Sequence, residues 1–234
     1  MSKTLIIVVL ISSMLIVQGC VPEMRNDSNV GEKAMTSVDE QLFKAVEDSD
    51  TERIEQMIQA GANINAQDQS GRTATMIATY NNDLTSAKVL IKAGADVNIQ
   101  DDMKNTPFLY AGAEGYLDIL KLTIEAGADP AITNRYGGTA LIPASEHGYV
   151  DVVQELLTQT SVDVDHVNEL GWTALLEAII LNDGNSLQQE TIQLLIDHGA
   201  DVNISDRDGV SPLSHAKNNG FKEIEDILVR AGAK

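Results

Sequence analysis

"DDMKNTPFLYAGAEGYLDILKLTIEAGADP", residues 101–130, decides the fold. Thr106 reads as a helix N-cap whose oxygen takes an orphan backbone N–H. Pro107 follows at the first helical position, where no N–H is needed. A short apolar segment with Phe108, Leu109 and Ala111 runs to Gly115, a residue suited to a left-handed C-terminal cap. A second helical segment then closes at Gly127. Two short helices and a turn cannot bury their apolar faces alone, so the unit needs neighbours of its own kind.

The neighbours are present. Segments starting "DQSGRTATMIA" (68–78), "NRYGGTALIPA" (134–144), "NELGWTALLEA" (168–178) and "DRDGVSPLSHA" (206–216) align with "DDMKNTPFLYA". The hydroxyls fall at Thr73, Thr106, Thr139, Thr173 and Ser211, spaced 33, 33, 34 and 38 residues apart. A second landmark recurs as "AGANIN" (60–65), "AGADVN" (93–98), "AGADP" (126–130) and "HGADVN" (198–203). First helices are expected to stop at Gly115, Gly148, Gly220, Asn82 or Asn182. Second helices should close at Gly94, Gly127, Gly199 and Gly232. An extended Asp-Val-Asn stretch and a glycine turn would lead into the next unit. A period near 33 means one unit stacked along an axis.

This pattern resembles the ankyrin repeat over residues 38–234. The resemblance implies an all-α ankyrin-repeat solenoid with β-hairpin turns. It would hold five full repeats, 67–99, 100–132, 133–167, 168–204 and 205–234, after a divergent N-terminal cap at 38–66. The histidine usual in the family's Thr-Pro-Leu-His start is replaced by Met76, Leu109, Ile142, Leu176 and Ser214, so apolar packing must substitute for its hydrogen bonds. Lys104 stands where a turn glycine is usual. The fourth repeat carries about five additional residues near "LNDGNSLQQE" (181–190), read as a protruding interhelix loop.

Ahead of the repeats, "MSKTLIIVVLISSMLIVQGC" has one cation, Lys3, and an apolar run from Leu5 to Val17. As a helix those residues reach ~20 Å, short of a ~30 Å bilayer core. The run therefore reads as a secretory signal, residues 1–19. Val17-Gln18-Gly19-Cys20 resembles the bacterial lipobox. The resemblance implies a lipid on Cys20, the chain's single cysteine, with cleavage before it. Acyl chains contribute about 0.8 kcal/mol per buried CH₂. Residues 20–37 would form a flexible, lipidated tether, its last seventeen residues with an r.m.s. reach of roughly 20–25 Å. The expected location is the bacterial cell envelope outside the cytoplasm. In a host with two membranes, Val21 points to the periplasmic face of the outer one.

The net charge is −19, a surface that repels phosphate backbones and argues against nucleic acid. It would steer in a basic protein. Chemistry is not evident: no thiol beyond Cys20, no metal spacing among His147, His166, His198 and His215, and no cofactor motif. His198, just before a cap glycine, suits the end of a helix dipole. No enzyme, metal or cofactor is expected.

In the ankyrin family partners touch the turn tips and the exposed face of the first helices. Carried over, those positions gather Tyr136, Leu170, Trp172, Ile180 and Leu181 around repeats three and four, bordered by Arg135, Glu146 and Glu177. Trp and Tyr are favoured anchors, and Trp172 is the single tryptophan. The leading expectation is a monomeric, membrane-tethered scaffold binding another protein on its concave face. The alternative is an immunity or inhibitor lipoprotein that neutralises an envelope-directed toxin or enzyme.

Overall fold

A helix ends every time the chain has buried one apolar stripe. Helices of six to twelve residues result, each too short to persist without its neighbours. The computed structural model describes residues 36–234, so the signal, the lipobox and most of the tether lie outside the described residues. Six antiparallel pairs follow one another: α1 Ser37–Glu47 with α2 Thr51–Gln59, α3 Ala74–Tyr80 with α4 Leu84–Lys92, and α5 Pro107–Ala113 with α6 Leu117–Glu125. Then come α7 Leu141–Glu146 with α8 Val150–Gln159, α9 Ala174–Ile180 with α10 Ser186–Asp197, and α11 Pro212–Asn219 with α12 Lys222–Arg230. First helices stack on first helices and second on second. Among the described residues no helix is long and apolar enough to cross a membrane.

The stack closes on a column of alanines. Ala78, Ala111, Ala144, Ala178 and Ala216 stand five residues after each hydroxyl, and each is 0% exposed. A methyl at that point lets successive first helices approach closely. Met76, Leu109, Ile142 and Leu176, at the histidine positions, are all buried, so apolar packing does take that place.

The caps follow the sequence in four repeats of five. Thr73, Thr106, Thr173 and Ser211 each accept the backbone N–H three residues on. Thr139 does not. The α7 N-cap is Ala140, without a side-chain bond, and the buried Thr139 Oγ1 has no partner. Pro143 explains the failure. Its ring conflicts with the carbonyl four residues back, that of Thr139, and Ile142 N–H reaches that carbonyl in a tighter turn at 3.3 Å. The first pair has its own start: Thr36 caps α1 in a capping box with Asp39. The helix thus begins one residue ahead of the expected boundary.

Two further expectations are corrected. Asn182 is not a left-handed cap. The helix ends at its C-cap, Leu181, the Asn182 amide donates to the Glu146 carbonyl at 2.7 Å, and the left-handed residue is Gly184 in the insertion (φ 72°). A Cβ on Gly184 would come within 2.7 Å of the Phe221 ring, so glycine is required there twice over. The Asp-Val-Asn stretches are turns, not extended chain. Their asparagines and equivalents tie repeats together: Asn65, Asn98, Asp165 and Asn203 accept the backbone N–H of Asp96, Asp129, Asp201 and Lys234 at 2.8–3.1 Å.

Candidate functional site: a groove between fingers and first helices

The turn that precedes each first helix forms a finger. Its first residue is Asp68, Asp101, Asn134, Asn168 or Asp206, and one side-chain oxygen accepts two backbone N–H groups, two and four residues on, at 2.8–3.0 Å. This Asx turn fixes the finger from within. The remaining polar atom is left free for a partner. Asp68 takes Arg72, Asp101 takes the Tyr80 hydroxyl at 2.5 Å, and Asp206 takes His215 at 2.7 Å. Asn168 instead donates its amide to Glu177 Oε1 at 2.8 Å.

Fingers also contact one another unevenly. Asp102 N–H donates to the Ser70 carbonyl at 3.1 Å and Glu169 N–H to the Tyr136 carbonyl at 2.9 Å. Neither the fourth and fifth fingers nor the second and third form such a backbone bond. Lys104 stands there at φ 58°. The corresponding residues Gly71 and Gly137 are so close to the next finger that a Cβ would meet it at 2.8 and 2.9 Å. Arg135 bridges the looser seam, with its guanidinium 3.4 Å from the Met103 sulfur and 4.7 Å over the Tyr136 ring.

Behind that seam lies a groove of about 540 Å³, floored by Ile142 and Pro143. Seven of the eight residues expected from the sequence line it: Arg135, Tyr136, Glu146, Leu170, Trp172, Glu177 and Leu181. Ile180 does not. It is half-buried and sits about 100° round the helix from Leu181, turned from the groove. Tyr136, Leu170 and Leu181 are each about half exposed, at 51%, 51% and 47%. Trp172 is partly buried in the wall.

Glu177 departs from expectation. Rather than bordering the groove in solvent it is 6% exposed. Burial, with Glu146 close by, pushes its carboxyl up to about 7, against the Asn168 hydrogen bond that favours the charged form. Tyr80, a helix-end contact position by the family resemblance, and Tyr110, which the sequence reading did not gather, line the other end of the groove. Tyr80 and Tyr110 meet edge to face at 4.4 Å, and Tyr110 meets Tyr116 at 6.2 Å. Burial and the bond to Asp101 push the Tyr80 hydroxyl up to about 12. Tyr80 stands seven residues after Thr73 and Tyr110 four after Thr106, so no shared repeat position signals the pair. Among the described residues no three His, Cys, Asp or Glu side chains group as metal ligands. His198 Nδ1 lies 2.8 Å from the Leu194 carbonyl, the helix-end role expected of it.

The family described as "Ankyrin repeats (3 copies)" matches residues 42–134, 108–206 and 141–234. The chain belongs to the ankyrin repeat family. It is 50% identical to a crystallised ankyrin repeat domain from Acinetobacter baumannii AYE, with a TM-score of 0.81 over 82% of this chain and 98% of that one. EF0377, an ankyrin repeat protein, is 39% identical with a TM-score of 0.79 over the same shares, 82% and 98%. The ankyrin repeat protein YahD of Escherichia coli K12 is 49% identical over 81 residues, 35% of this chain and 40% of YahD. A Rickettsia felis ankyrin repeat protein is 38% identical over 79 residues, 34% of this chain and 20% of that protein. The match thus spans less than half the length of either of these two relatives. Ankyrin repeats in general mediate protein–protein interaction, and the fold is typically a binding scaffold rather than an enzyme.

Proposed function

We propose that the chain is a membrane-tethered, extracytoplasmic protein-binding scaffold, held by lipid on Cys20 and engaging a partner protein through the groove at repeats three and four. The observation that carries the binding half is the groove itself. Its 540 Å³ is of the size that holds ligand side chains, and its rim presents Tyr136, Leu170 and Leu181 half exposed. Large apolar side chains grouped at one exposed place mark contact surfaces. The tether half rests on Val17-Gln18-Gly19-Cys20 after an apolar run.

Affinity capture from envelope extracts tests the groove. A folded Tyr136→Ala, Trp172→Ala double variant should lose at least about tenfold of partner recovery, since anchor truncations typically cost 1–2 kcal/mol or more. Equal recovery by both proteins would remove the groove from consideration. Cys20→Ser tests the tether: the variant should stay unprocessed or leave the membrane fraction, and unchanged mass and fractionation would end that half of the reading. The net charge of −19 also favours a second reading, an inhibitor of a basic envelope-directed toxin or enzyme. Loss of the captured protein's activity on addition of the chain supports it.

A further inference from the structure

Resting on that reading, we propose that the groove contains a subsite for one cationic side chain of the partner, arginine or lysine, with the Glu177 carboxylate at its base. A carboxylate buried in a wall needs compensation, because removing a charge from water is expensive unless it is paired. Glu177 is only half compensated. Asn168 holds Oε1 at 2.8 Å, and among the described residues none donates to Oε2 and no Lys or Arg pairs with the side chain. The side chain faces the groove, not the core.

The groove's own charges agree. Glu114 at the C-cap of α5, Glu146 at the end of α7 and Glu177 in α9 line it. The opposing cation is Arg135, which is engaged with the Tyr136 ring and the Met103 sulfur. Tyr110, Tyr136 and Trp172 supply aromatic faces in the same wall. A cation is drawn to the face of such rings, more strongly as water is excluded. Carboxylates beside aromatic faces, with no Lys or Arg of the described residues paired to them, suit a guanidinium or ammonium from another chain.

The elements packed on α9 leave this open. From α7, Glu146 pushes the Glu177 carboxyl up. From α11, His215 is committed to Asp206 at 2.7 Å. On α10 the buried polar side chains Gln188 and Thr191 carry no charge. With its carboxyl near 7, Glu177 is partly protonated in the free protein. An arriving cation stabilises the ionised form, so binding expels the proton and strengthens as pH rises.

The test uses the full-length chain in detergent, with two capped peptides: acetyl-(Ala-Arg)₃-amide and its counterpart with citrulline, a neutral isostere, for arginine. Trp172, the single tryptophan, reports occupancy by fluorescence, and calorimetry gives the affinity independently. The arginine peptide should bind at least about tenfold more tightly than the citrulline peptide, the range for a charge-assisted hydrogen bond. Its affinity should rise between pH 6 and pH 8. Glu177→Gln, which keeps an acceptor for Asn168, should erase both differences. Glu223→Gln removes one charge from exposed α12 and should leave both intact, separating the subsite from general attraction to an acidic protein. Equal binding of the two peptides overturns the proposal. So does an affinity in Glu177→Gln equal to that in Glu223→Gln, or an unaltered wild-type affinity across the pH range, which needs no variant. If both peptides bind alike and Tyr136→Ala abolishes binding, the groove stands and the cation subsite falls. If Tyr136→Ala, Trp172→Ala recovers the partner undiminished, the groove itself falls.

Discussion

Asn168 shows how one atom adapts a repeated turn to its surroundings. Where the finger faces a donor, as with Arg72, Tyr80 or His215, its first residue is aspartate; where it faces the Glu177 carboxylate, it is asparagine. An aspartate there would place two carboxylates in contact. The sequence displayed both letters but not their pairing, because Asn168 and Glu177 meet only once the finger folds back on α9. A charged residue in a helix normally reads as solvent-facing, so the burial of Glu177 was not legible. It has a consequence for stability. Its folded-state carboxyl titrates near 7, above the ordinary 4.5. The native state therefore binds a proton that the unfolded state releases. The contribution from this group is fully present below about pH 4.5 and is lost as pH rises through 7. Glu177→Gln abolishes that dependence. Thermal unfolding from pH 5 to pH 8 should show the variant gaining on the wild type as pH rises, by about 2 kcal/mol at the top of the range. Parallel curves for the two proteins would mean that Glu177 ionises as an ordinary exposed acid.

The five first helices appear equal in the aligned letters and are unequal in their starts. Thr106 is 1% exposed and caps α5 through Leu109 N–H at 3.1 Å; Thr139, 2% exposed, caps nothing. The threonine and the period were legible. The effect of Pro143 was not, since a proline four residues past a cap acts on the carbonyl behind it rather than on its own position. The shortened α7, only six residues long, places Ile142 and Pro143 at the groove floor, so an imperfection in one element helps to shape the site. Thr106→Ala should destabilise by about 1 kcal/mol, the usual loss for an N-cap. Thr139→Ala should be close to neutral or stabilising, because it removes a buried hydroxyl that has no partner. Urea unfolding of the two variants decides it: equal losses would mean that the Thr139 hydroxyl is satisfied after all.

A stack of like units suggests uniform stability, and the period in the sequence carries no contrary information. The uneven seams depend on which fingers bond and which side chains interlock, and these emerge only in the assembled molecule. The apolar core divides into two clusters. One, running from Leu42 to Ala95, has 11 buried members, five of them alanine; the other, from Phe108 to Leu228, has 24. The division coincides with the second repeat's finger, where Lys104 holds a left-handed conformation at φ 58°. Fingers one and two keep a backbone bond across the division, and the next seam, between fingers two and three, has none. In a linear array stability is a sum of unit and interface terms, so the block with fewer and smaller buried side chains opens first. Hydrogen exchange in mild denaturant should therefore show the amides of α1–α4 exchanging together, with an opening free energy below that of α7–α10. The α5–α10 block, which carries the groove, should stay protected under those conditions. Replacing Lys104 with glycine relieves a left-handed side chain, worth roughly 1 kcal/mol. The gain falls on the α5–α10 side of the division, so it should raise the protection of that block while leaving the exchange of α1–α4 as it is. A single opening free energy across all amides in the wild type would mean that the stack unfolds as one cooperative unit, with no weaker end.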